Sequence, residues 1–384
     1  MSKKSERSPR KPKRKAEITV RRFDEAKAAL TTDAQAELLE PLAAAVPELL
    51  PEDPRLQKPN VIGLAIGVKE TGGEPTGEAA LLVLVTHKAP KEELRPEELV
   101  PPTMQNVKTD VVEVGEVTAE QLATAPGEVT EEAPLLMADV GIQTLTKRVR
   151  PAEGGYSVGH KDITAGTIAT AVYDILPGGT ISPPAPGVGI PSRYYILSNN
   201  HVLANSNAAV IGDPVLQPGP FDGGTIPVDV IARLSRLIPI TFEPPVPRAL
   251  HRNLVDAALA EAAYHDIDRE IHWIGNVRAW RRKANVTVGT LVQKSGRTTN
   301  YTVGRIIAVN ATIDVGYGGG RVARFLDQIV TTNMSAPGDS GSLITTLEEV
   351  AVGLLFAGSS VATIASQIEN VRALLRVEVA EQIM

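Results

Sequence analysis

Gly338-Asp339-Ser340-Gly341-Ser342 stands late in the chain, after Thr332-Asn333-Met334-Ser335-Ala336-Pro337 and before the apolar pair Leu343-Ile344. Two glycines around a serine allow a sharp backbone turn and a close approach to another group. Such a turn exposes the Ser340 hydroxyl and gathers backbone N–H groups into one small space. Those donors suit the negative oxygen that forms when a hydroxyl attacks a carbonyl. A serine alone is a poor nucleophile, so this chemistry needs a base and a group to orient the base. The plainer reading is a Gly/Ser surface turn, and the rest of the chain decides between the two.

Candidates for the base and its orienter lie upstream. Tyr194-Tyr195-Ile196-Leu197-Ser198-Asn199-Asn200-His201-Val202 is a β-branched and aromatic run ending in small polar residues, which puts His201 at the end of a strand. Asp256 sits inside the apolar run Asn253-Leu254-Val255-Asp256-Ala257-Ala258-Leu259. A carboxylate there is costly to bury unless something pairs with it. His160, His251, His265 and His272 are rival bases, and Asp266 and Asp268 are rival acids in a more polar stretch.

The order His201, Asp256, Ser340 resembles that of the chymotrypsin-fold (trypsin-like) serine proteases. Ser295-Gly296-Arg297-Thr298-Thr299-Asn300-Tyr301-Thr302-Val303-Gly304-Arg305-Ile306 is similar to a stretch of the bacterial α-lytic and streptogrisin-type members. Asn300 replaces a glycine of that pattern, and asparagine is the next best residue for a left-handed turn. Gly353 to Ser359 follows the serine as the pocket-wall strand does in that family. The C-terminal run from Gln367, with Ile368, Val371, Leu374 and Leu375 at helical spacing, is similar to its closing helix. The likeness runs from about Gly154 to the C-terminus. Ser198-Asn199-Asn200-His201-Val202-Leu203 and the segment from Val61 also resemble a bacterial and plant group of trypsin-like proteins typified by NARROW LEAF.

The resemblance implies a mainly β protein, a double six-stranded β-barrel of chymotrypsin-like form preceded by a small α/β N-terminal domain. Residues 1–20 would be a disordered basic tail, 21–117 a helix plus the small domain, 118–150 a linker and 151–384 the protease domain. It implies an intracellular serine endopeptidase in which Ser340 attacks, His201 carries the proton and Asp256 orients His201. Gly338 and Ser340 N–H groups would form the oxyanion hole. Met334, Ser335, Pro337, Phe356 and Gly358 would line the substrate pocket. No acid stands at 334, so a small or apolar residue is expected before the cleaved bond. In relatives the residue at 339 supports the loop through a buried ion pair or hydrogen bonds. Pro337 and Ser342 depart from the common pattern.

Composition bounds this reading. The chain has 384 residues, enough for two domains and a large core. Only 4% is aromatic, while 32 Gly and 29 Pro suit many short strands joined by turns. A net charge of −6 argues against a whole-chain nucleic-acid binder. The absence of cysteine excludes disulfides and thiolate metal sites, and no His/Asp cluster has metal-ligand spacing, so no metal or cofactor is expected.

The N-terminus is rich in Lys, Arg and Pro without an apolar stretch behind it. This is unlike a secretory signal, and a cytoplasmic protein without membrane association is expected. The basic tail reads as solvated chain or as an electrostatic handle for an acidic partner. A helical pattern spans about Asp24 to Glu40. Val61–Lys69, Leu81–Lys88 and Val107–Val114 read as strands, Lys91–Leu99 as a charged segment, and Thr118–Pro134 as a linker. This N-terminal unit is expected to regulate or to build a homo-oligomer. A protein or peptide is the expected partner at the serine. The competing functions are a quiet protease-fold scaffold or binding protein, and a nucleic-acid-associated adaptor acting through the tail.

Overall fold

A computed structural model describes residues 60–71, 74–94, 99–104, 107–119, 144–175, 193–380 and 382–383. The basic tail, the helical pattern before Pro41, most of the 118–134 stretch and the Gly/Pro loop from Pro177 to Pro191 lie outside these residues. Among the described residues, no helix is long and apolar enough to cross a membrane.

Five strands precede the barrels: β1 (Val61–Thr71), β2 (Glu74–Val85), β3 (Thr103–Met104), β4 (Val107–Glu113) and β5 (Thr118–Ala119). β1 and β2 form an antiparallel hairpin, β4 runs parallel to β2, and β3 pairs with β4. β5 begins the stretch whose composition suggests a linker.

After β6 (Ala152–Gly154), which pairs in a small separate sheet, the first barrel takes β7 (Ser157–His160), β8 (Gly166–Thr167), β9 (Thr170–Asp174) and β10 (Tyr194–Ser198). The short helix α1 (Asn200–Leu203) follows, then β11 (Pro214–Leu216), β12 (Val230–Leu237) and β13 (Ala258–Ala262). β14 (Ile267–Ile271), β15 (Gly275–Asn276) and β16 (Ala279–Trp280) lead to the second barrel. That barrel is built from β17 (Leu291–Gly296), β18 (Asn300–Gly316), β19 (Val322–Thr332), β20 (Leu343–Thr346), β21 (Val350–Gly358) and β22 (Ala362–Gln367). Helix α2 (Ile368–Leu375) and β23 (Val377–Glu378) close the chain's main path.

The second barrel is a closed ring of six strands, in order β17-β20-β21-β22-β19-β18, with β18 pairing back onto β17. Closure joins β17 to the first half of β18, while the second half of β18 and the end of β21 take up further strands. The first barrel's sheet runs β23-β9-β10-β13-β12-β11-β7-β8. Six of its strands make the expected set, and β8 and the C-terminal β23 are added at its ends. The mainly β, chymotrypsin-like architecture expected from the sequence is therefore present.

β18 is long enough, at 17 residues, to serve two sheets. Its first half pairs with β17, and its second half pairs with β1 from Ala308 to Ile313. The N-terminal strands thereby extend the second barrel's sheet. Leu82, Leu84 and Val114 share one buried cluster with Phe325, Phe356 and Ile364 of that barrel.

A separate cluster joins the two barrels. Val172, Leu197 and Leu259 meet Leu343, Leu354 and the buried face of α2. Ile368, Val371 and Leu375 of α2 are buried, whereas Leu374 is exposed. The helix ends at Arg376, which takes the left-handed conformation at φ 57°. β23 then pairs with β9 of the first barrel, and the final strand Gln382–Ile383 pairs with β16.

Candidate active site

The site forms where the two barrels face each other. Gly338 and Gly341 have φ of +100° and +98°, a region that side chains rarely adopt. A Cβ on Gly341 would lie 2.1 Å from both Ser198 Oγ and the Thr167 carbonyl, so only glycine fits there. This close approach binds the Ser340 turn to the first barrel. The Thr167 N–H donates to the Ser340 carbonyl over 2.7 Å, and Ser198 Oγ donates to the Thr167 carbonyl over 2.7 Å. Ser198 ends β10, immediately before the turn into α1 that carries His201.

His201 and Asp256 are in direct contact. His201 Nδ1 lies 2.6 Å from Asp256 Oδ2, and the His201 backbone N–H donates to Asp256 Oδ1 over 3.1 Å. Both residues are essentially fully buried. Asn199 Nδ2 donates to the Asp256 carbonyl over 2.7 Å, fixing the backbone beneath the carboxylate. The segment before Asp256 is tied to the second barrel, since Gln328 Nε2 donates to the Leu254 carbonyl and the Leu326 N–H to the Asn253 carbonyl.

Tyr317 adds a contact that the sequence reading did not find. Its hydroxyl donates to Asp256 Oδ2 over 2.6 Å. Burial, reinforced by the Asp256 charge, raises the phenol well above its ordinary value, so it is a donor here. Its ring packs among Phe242, Phe325 and His201. Gly318, Gly319 and Gly320, all at positive φ, turn the chain back immediately after it. An aromatic next to a triple glycine, in a chain with few aromatics, was the available signal.

Ser340 is fully buried, and its Oγ donates to the Phe356 carbonyl over 3.3 Å. His201 Nε2 is buried without a hydrogen-bond partner among the described residues. Beside Ser340, the Pro337 carbonyl accepts from Thr298 Oγ1, and the Asp339 carbonyl accepts from Ser342 N–H and Oγ. In a trans peptide the N–H points opposite to the carbonyl. The N–H groups of Gly338 and Ser340 are therefore directed away from these partners, on the same turn as Ser340 Oγ.

Asp339 anchors the turn. It is fully buried and accepts from Lys294 Nζ (3.0 Å), Thr299 Oγ1 (2.5 Å) and the N–H groups of Thr298, Thr299 and Ala336. Lys294 is also fully buried and donates in addition to Thr299 Oγ1 and the Asn300 carbonyl. A buried charge pair persists only when its remaining polar capacity is satisfied in this way. Asn300 has φ 54°, the left-handed turn expected of it. Arg297, next to this turn, forms a buried ion pair with Asp222, which lies between β11 and β12, bridging the barrels again.

The pocket candidates divide. Ser335 Oγ meets Thr363 Oγ1 at 2.7 Å, and the Met334 N–H donates to the same hydroxyl. The Met334 side chain joins the core cluster of Ile306, Ile329 and Ile344, whereas Phe356 joins the cluster of Tyr317 and Phe325. Gly358 lies on the edge of β21 beyond Phe356. The rival histidines have other partners: His160 pairs with Asp213, His272 with Glu153, and His251 with the Val246 carbonyl and the Arg324 N–H. His265 is exposed beside Asp266. Among the described residues, no group of three or more His, Asp or Glu could hold a metal.

No family model matches the chain. It is 39% identical over 87 residues to Serine protease 2 of Streptomyces fradiae, a match that spans 22% of this chain and 41% of that protein. Thermobifida fusca Protease A aligns at 15% identity, over 59% of this chain and 96% of its own, with a TM-score of 0.39. A solved structure described as a glutamic acid specific serine protease with a novel histidine triad in substrate binding aligns at 19% identity, over 59% and 98%, with a TM-score of 0.38. The chain is similar over a short stretch to a bacterial serine protease, whose length it spans to about two fifths, and its architecture of a closed six-stranded ring beside an eight-stranded sheet rests on its own strand pairings.

Proposed function

We propose that this protein is a serine endopeptidase with Ser340 as nucleophile, His201 as general base and Asp256 as the group that orients His201. The observation that carries the reading is the buried His201–Asp256 pair at 2.6 Å, with His201 Nε2 left unbonded, on a segment whose Ser198 shares Thr167 as a hydrogen-bond partner with the Ser340 turn. A buried polar nitrogen without a partner is costly and calls for an explanation, which a proton-accepting role supplies. The match to a bacterial serine protease supports the same chemistry.

In this mechanism Ser340 Oγ rotates from the Phe356 carbonyl toward His201 Nε2, a change between staggered side-chain wells. Attack on the scissile carbonyl passes the hydroxyl proton to Nε2. Asp256 holds the Nδ1 proton and stabilises the imidazolium. The carbonyl oxygen becomes an oxyanion facing the N–H groups of Gly338 and Ser340, each contributing on the order of 3 kcal/mol in such sites. His201 then protonates the leaving amine, and water releases the acyl group by the reverse proton path.

Ser335, Thr363, Ala357 and Gly358 carry no formal charge, which favours a small or apolar residue before the cleaved bond. A cysteine-free chain needs no oxidising compartment, and we place the activity in the cytoplasm. The likeness to the NARROW LEAF-type group belongs to the same proposal and rests on Ser198–Leu203 and the segment from Val61. Replacing Ser340 with Ala tests the assignment. Peptide hydrolysis should vanish with the unfolding transition retained; hydrolysis by a folded Ser340→Ala protein would reject it.

A further inference from the structure

From Ala351 to Leu354 one side of β21 is covered by β20, and from Gly353 to Gly358 the other side is covered by β22. Beyond Leu355 the β20 side opens. Its first carbonyl there, that of Phe356, accepts from Ser340 Oγ. An extended peptide laid on this edge would therefore run straight into the nucleophile. Such edges bind peptides by adding a strand, with backbone hydrogen bonds supplying much of the affinity.

The chain's own β5 already lies there. Thr118 stands opposite Gly358 and Ala119 opposite Ala357, antiparallel. From Thr118 to Ala119 the segment therefore runs along β21 in the direction of Phe356, whose carbonyl accepts from Ser340 Oγ. Val114, Val117 and Ala119 are buried in the cluster that contains Phe356, Ala357 and Tyr317, while Glu116 and Thr118 face outward. Two anchors hold the approach: Ser359 Oγ donates to the Val114 carbonyl, and the Gly316 N–H donates to the Val117 carbonyl over 3.0 Å. Gly115, at φ +71°, allows the bend, and a Cβ there would lie 2.9 Å from Ser359 Oγ.

We infer that residues 114–119 are an intramolecular occupant of the peptide-binding edge, and that the enzyme is closed to extended substrates until they leave it. This rests on the serine-endopeptidase reading. One strand edge holds one strand, so β5 and a substrate compete for Ala357 and Gly358. Among the described residues the pairing covers Thr118 and Ala119 against a nine-residue β21.

The test uses the full chain carrying Val117→Asp and Ala119→Asp, which place two charges in the apolar seat of the segment. A quenched-fluorescence peptide with four or more residues before the scissile bond reports on the edge. A small fluorophosphonate reports on Ser340 alone. The double variant should raise kcat/KM for the long peptide at least tenfold while the labelling rate stays within twofold. Unchanged or lower kcat/KM with labelling retained would overturn the inference. Loss of labelling in the wild-type protein would instead overturn the underlying enzyme assignment.

A second variant guards against misfolding. The chain has no cysteine, so Thr118→Cys with Gly358→Cys gives a single possible disulfide across the pair. Its oxidised form should hydrolyse the long peptide at least tenfold more slowly than its reduced form. Equal rates in the two forms would refute the occupancy mechanism.

Discussion

Tyr317 and His201 converge on the same oxygen of Asp256, each at 2.6 Å from Oδ2. The other oxygen is held by the His201 backbone N–H. The carboxylate is thus fixed by three donors supplied from both barrels. Tyr317 acts as a positioning residue, setting the plane in which Asp256 meets the imidazole.

Tyr317→Phe removes one hydrogen bond to a buried charge, a change typically worth about 1.5–3 kcal/mol. The expected result in steady-state kinetics is a kcat about tenfold or more lower, with KM within twofold. A merely structural hydroxyl would lower the unfolding midpoint and leave kcat per folded molecule unchanged.

The same hydroxyl gives a pH signature. Burial, then the charge of Asp256, holds the phenol protonated in the native state above its ordinary pKa of 10.0. Stability from this raised group is fully present below about pH 10 and is lost as pH rises through the higher native value. Urea unfolding between pH 9 and 11.5 should show a shallower alkaline loss for Tyr317→Phe than for the wild type. Parallel losses would contradict this.

The buried Lys294–Asp339 pair makes a second stability prediction. Lys294→Met leaves the Asp339 charge buried without its countercharge, an imbalance that typically costs about 3–5 kcal/mol. Adding Asp339→Asn should restore part of that loss in denaturant unfolding at pH 7. A single variant as stable as the wild type would show that the pair does not hold the Ser340 turn.

The uncharged hydroxyls and glycine around Ser335, Thr363 and Gly358 predict cleavage after small or apolar residues. A fluorogenic panel varying the residue before the scissile bond should rank Ala, Val and Leu above Lys, Arg, Asp and Glu. Strict preference for a basic residue would contradict the pocket.

Much of this site is visible in the sequence because local chemistry dictates it. Glycines around Ser340 require positive φ, an acid inside Val255–Ala257 requires a partner, and a strand ending in small polar residues places His201 at a barrel rim. Asn300 adopts its left-handed turn for an equally local reason. The missed features depend on long-range pairing. Tyr317 reaches Asp256 across 61 positions of sequence, and Lys294, the unnamed partner of the ion pair expected at Asp339, lies 45 positions away. The start of an acidic, Pro-containing stretch gave no sign that Thr118–Ala119 would pair with β21, since two residues carry no periodicity. Leu374 follows the helical spacing yet faces solvent, because α2 has one buried face against the barrels.

The most direct test of the central claim is covalent labelling by a fluorophosphonate, followed by intact mass and peptide mapping. The account predicts one adduct per chain, on Ser340, with labelling reduced at least a hundredfold in His201→Ala that retains the wild-type unfolding transition. Absence of an adduct on Ser340, or labelling undiminished without the His201 imidazole, would contradict it.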